Sequence, residues 1–542
     1  FAADPMAAHD WANPGTVRTC LDAQIAASRA TSPAGERLQA LEKELAPLYA
    51  ILPKNGQGFL DDSVARYGLH RYFIKQHRWS VKGLEPAGAS WVKEIEMASD
   101  VKQMSKYMVP AYLQQLVAEK LGNGTGVDLH GFAIIASTLR HLAHAEITEY
   151  LYSVYRTLGY PISGGKAQHE VEDIVFTFML VYAFGTDLEV SQLSDVRSER
   201  RYLEAHHTGW KELCSFIRGQ LRAARPAPND FGSTLAFVEG LTGEYGRWQN
   251  NDCRTAADRF ASLPGAKAHG RVPVAGLTPG PQWGRRAILR EDGDEMTRLG
   301  VVENDTATGK PQLLVPNYLL SQAMCLTTAG VHTVCCYNEC DDLLAKVESV
   351  AGGPEASVGD IVSALDVAEA GKESLTKLVG EGGQGKVALH GRAFAEWMHR
   401  SFPLTCPAPS DGSARTSPKT PDEWMADPGE ETASTEDLVS ELSAVLGRYT
   451  TLGSRPGDEA ELESDAAATE GAASRPDIEA HVQQGGGQRA GGRRSIGRTL
   501  FQLIAISSMV GLACANGRTM LADALVSVAS GTTGAQLKEK CM

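Results

Sequence analysis

At 542 residues the chain has room for two folded units plus linkers, and 43% hydrophobic residues suffice for a sizeable core. Acidic side chains outnumber basic ones 66 to 52, a net charge of −14. No Lys/Arg-rich face is visible ahead of the tail, which excludes a nucleic-acid partner, since phosphate neutralisation needs one. Ten cysteines are too few for a disulfide-dense scaffold.

The chain starts at Phe1 rather than Met, so a fragment or processed form is expected, with any signal peptide upstream. Residues 1–30 read as a loose lead-in, and residues 31–262 as a helical domain. Leu38, Leu41, Leu45 and Leu48 recur at helical spacing, and LHRYFIKQHRWSVKGLEP follows, stopped by Gly83 and Pro86. Helices are expected at 103–120 and at 131–158, the latter with the apolar stripe Ile135, Leu139, Leu142, Leu151, Val154 and Leu158. The run 169–185 reads as a central buried helix ending at Gly185, and 194–222 and 233–249 continue the pattern. Period-two alternation is missing, so this half reads as mainly α.

The Gly/Pro-rich passage 263–284 marks a boundary or long surface loop. A second, Cys-bearing, mainly helical unit is expected over 285–407. It opens with one short helix and a small hairpin, continues with a long helix over 318–350, and closes with helices near 359–380 and 389–401. From Ala408 to 495 the Ser/Thr/Pro/Gly/acid-rich text predicts a disordered acidic linker, interrupted by one short helix at 436–449. Residues 496–542 form a hydrophobic tail. Its Leu500–Ala515 segment is sixteen residues, short beside the ~20 that span a bilayer, and offers a membrane anchor or a packed terminal helix. Arg493, Arg494 and Arg498 would place its N-terminal side in the cytosol, whereas sequons at Asn123 and Asn304 point to export. The fold class is therefore mainly α: two packed helical units, a disordered acidic linker and a C-terminal hydrophobic helix.

No catalytic motif is complete. Gly380-Glu-Gly-Gly-Gln-Gly-Lys-Val387 fits a kinase glycine loop, but no HRD follows, and the DFG at Asp230 comes before it. As a phosphate loop it has Val387 where magnesium needs Ser or Thr, so it reads as a turn between helices. No Cys-x-x-Cys, G-x-S-x-G or H-E-x-x-H occurs. His141 and His144 share one helix face, and Glu146 and Glu149 do not join them both. Glu204/His207 and Glu396/His399 have the Glu-x-x-His spacing of di-iron bundles. The alternative to a cofactor-free protein is thus a divalent-metal site on His141, His144, Glu204 and His207.

The cysteines Cys325, Cys335, Cys336, Cys340 and Cys406 cluster late. On a continuous helix Cys336, Cys340, Leu343, Val347 and Val350 form one stripe, which predicts buried thiols acting as small hydrophobes. In an exported protein, Cys335, Cys336 or Cys340 would instead bond to Cys325, Cys406 or Cys253. Redox sensing at Cys335 and Cys340 would need exposure and a base, and a Cys335 nucleophile would need His332, His390 or His399 beside it.

PNYLLSQAMCLTTAGVHTVCCYNECDDLL, LHGRAFAEWMHRSFPLTCP and TPDEWMADPGEE resemble a family of predicted proteins abundant in dinoflagellates and related algae. LHRYFIKQHRWSVKGLEP and LRHLAHAEITEYLYSVY resemble its N-terminal half, so the resemblance covers roughly residues 60–430. It implies no activity. It implies an exported or membrane-tethered protein with Leu500–Ala515 as a single C-terminal anchor. The leading expectation is a non-enzymatic, membrane-tethered interaction or surface protein with a protein partner. The alternative is a metal-dependent helical-bundle enzyme or carrier.

Overall fold

The computed structural model describes residues 14–28, 33–84, 126–186, 188, 193–207, 209–275, 277, 289, 291, 293–326, 331–381, 385–410 and 420–426. The described chain is mainly helical. The helices expected at 103–120 and 436–449, the sequon at Asn123, most of the acidic linker and Leu500–Ala515 lie outside these residues.

Among the described residues, eight helices build the N-terminal part: α1 (Pro14–Ser28), α2 (Pro33–Ile51), α3 (Asp62–His77), α4 (Leu129–Leu158), α5 (Gln168–Phe184), α6 (Leu193–His206), α7 (Trp210–Ala223) and α8 (Phe231–Ala261). The boundaries follow local chemistry. Asp128 accepts the Gly131 N–H at 2.7 Å to open α4, and Gly159, at φ +75°, closes it. In α5 the residues from Ile174 to Phe184 are all buried, which marks a helix enclosed by its neighbours rather than lying on a surface. Asp230 and Ser233 cap α8, whose 31 residues make a rod of about 46 Å. Its first half packs in the N-terminal core through Val238, Leu241 and Tyr245, and its last turns enter a second core through Cys253 and Phe260.

That second core forms under a three-stranded antiparallel sheet in the order β2-β4-β3 (Arg271–Pro273, Pro311–Leu314, Val302–Asn304). It also takes in the short helices α9 (Ala266–His269), α10 (Gly293–Arg298) and α11 (Val315–Leu319). A third core sits among α12 (Cys340–Ala351), α13 (Val358–Ala364), α14 (Glu369–Glu381) and α15 (Arg392–Ser401). A two-stranded pairing of β6 (Glu355–Ala356) with β7 (Val387–Ala388) closes it.

Several expectations are corrected. The lead-in is not loose throughout: Leu21 and Ile25 of α1 are buried against the N-terminal core, one turn apart. The helix expected over 194–222 breaks between α6 and α7, and 359–380 is two helices, since Ser357 and Asp360 cap a short α13. Residues 285–407 hold two cores, and β2, from the passage read as a boundary, pairs into the first of them. Within the segment assigned to the disordered linker, α16 (Pro421–Met425) is folded, with Thr420 and Glu423 as a capping box and Trp424 8% exposed against α3.

The largest correction concerns 318–350. α11 ends at Leu319, a 3₁₀ turn covers Gln322–Met324, and β5 (His332–Thr333) pairs antiparallel with β1 (Ser80–Val81). Helix resumes only at Cys340. The β-branched residues Val331, Thr333 and Val334 favour strand here, and Leu326 and Val334 form a bridge. Cys336 and Cys340 therefore share no helical stripe, and Val350 is 49% exposed.

Candidate functional site

The hexapeptide Cys335–Cys340 between β5 and α12 is where the three cores are tied together. Three disulfides leave it: Cys325–Cys335, Cys253–Cys336 and Cys340–Cys406, with Cα separations of 4.0, 5.6 and 4.8 Å. The first closes the loop that carries β5, the second grips the C-terminal half of α8, and the third grips the segment after α15. A ten-residue helical rise would be about 15 Å, so the Cys325–Cys335 bond itself is incompatible with a helix there. Tyr337 fixes the centre. Its N–H donates to Asn250 Oδ1 at 2.8 Å, its hydroxyl to Asp342 Oδ1 at 2.6 Å, and the Arg78 guanidinium lies 3.9 Å over its ring.

Beside this hub runs a polar seam along one side of α3. Arg71 holds Glu348 of α12 through two parallel bonds of 2.6 and 2.7 Å, and His390 Nε2–H donates to the same carboxylate at 2.8 Å. All three are buried. Burial opposes the Glu348 charge, but Arg71 and the His390 bond outweigh it and hold the carboxyl down at about 2. Burial, only partly countered by Glu348, pushes His390 below its ordinary value and keeps it neutral. The residue before Arg71, His70, stacks on Trp424 at 3.8 Å, and burial pushes it down to about 3. Two turns after His70, His77 opens a stack with Trp79 and His332 at successive distances of 4.5 Å, and His332 Nε2 shares a 2.7 Å hydrogen bond with the Tyr182 hydroxyl. Glu146 of α4 accepts the Val331 N–H at 2.6 Å and so anchors the segment before β5.

A shallow, mostly apolar cleft opens on the hub between Asn338, Asp341, Leu344, Phe394, Met398 and the Cys340–Cys406 bond. Asp341 is half-buried in it and accepts from Asn338 Nδ2 at 3.0 Å. Desolvation, with Glu348 and Asp342 nearby, raises its carboxyl to about 6 against the pull of Arg71. No thiolate faces it, because both lining cysteines are oxidised. The free thiols Cys20 and Cys214 lie elsewhere, and burial pushes both upward. The arrangement holds segments together; it does not assemble a nucleophile and base.

The metal candidates do not meet. His141 and His144 are exposed on α4 with ring centroids 6.4 Å apart, and His144 Nδ1 bonds Glu239 of α8 instead of a shared ion. Glu204 is exposed on α6, while His207, beyond the end of that helix, is buried with Phe184 edge-on at 5.7 Å. In the other Glu-x-x-His pair, Glu396 bonds Arg392, and His399 donates from Nδ1 to the Cys406 carbonyl and accepts from Arg271 at Nε2. Among the described residues no group of three or more His, Cys, Asp or Glu side chains is placed to hold a metal. Cys335 is bonded to Cys325, so it offers no nucleophile to His332, which is engaged with Tyr182.

Arg71, Glu348 and His390 carry no local signal that sets them apart. Glu348 sits beside Val347 on the buried face of α12, and a buried acid among apolar positions is the one feature that could have flagged it. Replacing it with Ala strands the Arg71 charge, and a loss of about 3–5 kcal/mol in urea unfolding is expected. A change below about 1 kcal/mol would show the pair to be solvated.

The chain matches no family model, no curated protein and no solved structure.

Proposed function

We propose that this protein is an exported, membrane-tethered interaction or surface module, non-enzymatic, whose helical body is braced by disulfides. The observation that carries this reading is the hub. Six of the eight described cysteines are paired, and two of the bonds close loops of 66 and 83 residues. Such bonds persist in oxidising compartments and are rare where thiols are kept reduced. Further support comes from the cleft beside the hub, whose two sulfurs are joined in the Cys340–Cys406 bond. The apolar tail Leu500–Ala515 supplies the tether in this reading; no described helix is long and apolar enough to cross a membrane.

The tether is tested on the full chain expressed in a eukaryotic secretory host. Wild type is expected in the membrane pellet after alkaline carbonate washing. Leu503→Arg with Ile506→Arg is expected in the supernatant, each charge opposing insertion by roughly 3 kcal/mol. A wild-type chain that washes off would remove the tether, and a variant that stays would assign retention to another segment.

A further inference from the structure

We propose that Asn304 carries an N-linked glycan. The proposal rests on the export reading above and names a modification of the same folded body. Asn304-Asp305-Thr306 meets the acceptor rule, and the fold presents it at a place where transfer and retention are both unobstructed. Asn304 is the last residue of β3, an edge strand of the three-stranded sheet, at the base of the Asp305–Lys310 hairpin loop. Its register partner is Pro311, and one pair further on the Asp305 N–H donates to the Lys310 carbonyl at 2.9 Å to close the loop.

Asn304 and Thr306 are both exposed, and the Asn304 carboxamide has no hydrogen-bond partner among the described residues. Asp305, between them, is occupied elsewhere. Its Oδ1 accepts the N–H groups of Thr308 and Ala307 at 2.7 and 2.8 Å, which turns its side chain into the loop. Gly309, at φ +67°, completes the turn and lets the chain return to β4.

The donor is a lipid-linked oligosaccharide. Asn304 Nδ2 forms a bond to the sugar C1 as the C1–oxygen bond to the lipid pyrophosphate breaks. The pyrophosphate leaves with the bonding electrons, and the displaced Nδ2 proton goes to a base on the transferase. A glycan at this point would cover the open edge of β3. That is a use beyond solubility, because an exposed edge strand is a template for unwanted pairing.

The test uses native full-length protein. Free thiols are alkylated first, and the protein is then treated with peptide-N-glycosidase in heavy-oxygen water, digested and sequenced by mass. The expected result is heavy-oxygen aspartate at Asn304, cysteines protected from alkylation at Cys253, Cys325, Cys335, Cys336, Cys340 and Cys406, and loss of the glycan mass from that loop in N304Q. Unlabelled Asn304 beside protected cysteines would overturn the glycan and leave the export reading standing. Unlabelled Asn304 beside alkylated cysteines would overturn both.

Discussion

Reduction of the folded protein with dithiothreitol is expected to lower its urea midpoint by an amount comparable to the whole stability of an ordinary domain. The reason is loop closure. On the chain-entropy account, bonds spanning 66 and 83 residues each restrict the unfolded chain by about 4–5 kcal/mol, and the ten-residue bond by about 3. Domains commonly hold only about 5–15 kcal/mol in reserve. The bonds also differ in what they join. Cys253–Cys336 fastens the second core to the hub and Cys340–Cys406 fastens the third, whereas Cys325–Cys335 only closes the ten-residue loop that carries β5. Paired serine variants should therefore rank, with C253S/C336S and C340S/C406S more destabilising than C325S/C335S. Equal midpoints with and without reductant would mean that the bonds do not exist in the protein.

Acidification from pH 7 to pH 5 is the second large effect. His70, His77, His332, His390 and His399 are all held below the ordinary histidine value, chiefly by burial, with His70 near 3 and His77 near 4. A histidine whose folded value is depressed favours the folded state fully above the unfolded value of about 6.5. That advantage is lost as the pH falls, because the unfolded chain takes up protons that the folded chain refuses.

Some groups oppose this. Asp341, raised to about 6, takes up its proton earlier in the folded state, and so stabilises as acid is added. Glu348, held at about 2, keeps its contribution until the pH falls below about 4.5. His144, raised chiefly by its bond to Glu239, and the carboxyls of Asp62, Glu199, Asp252 and Asp422, raised by burial, act in the same direction as Asp341 and oppose the five histidines. The unfolding free energy from urea titration should fall between about pH 6.5 and 5, by about 1.4 kcal/mol per pH unit for each net proton the unfolded chain takes up. Asp341→Asn should steepen the fall, and His70→Phe, which keeps a ring against Trp424, should make it shallower. A flat or rising profile over that window would mean that the histidines are solvated.

The two effects share a structural cause. α3 meets Trp424 of α16, Glu348 of α12, and the segment around His332 along one side, so the N-terminal core and the C-terminal cores meet across paired rings and one clamped carboxylate. Neutral imidazoles fill that seam at neutral pH. Charged ones would have to be hydrated.

The sequence was most legible where a helix is long and its signals local. The expected 131–158 and 169–185 coincide closely with α4 and α5, because an apolar run and a closing glycine agree in both, and in α4 the Asp128 N-cap agrees as well. Legibility failed where the structure depends on distant partners. The strands have two to four residues, too few for alternation to register, and β5 exists because β1, some 250 residues earlier, lies beside it. Six cysteines allow fifteen pairings, and nothing local chooses among them. The helix expected over 318–350 has the right apolar spacing, yet a covalent bond between Cys325 and Cys335 overrides it. Arg71 and Glu348 are 277 residues apart, so neither could announce the other. In TPDEWM the capping box and the tryptophan were legible signs of order inside linker-like text.

The most direct test of the hub is peptide mapping of the native full chain under non-reducing conditions, with free thiols alkylated before digestion. The expected result is three linked pairs, Cys253 with Cys336, Cys325 with Cys335 and Cys340 with Cys406, and alkylation at Cys20 and Cys214 after denaturation. Alkylated Cys335, Cys336 and Cys340, or a pairing that leaves α8 and the third core unbonded to the hub, would contradict the account.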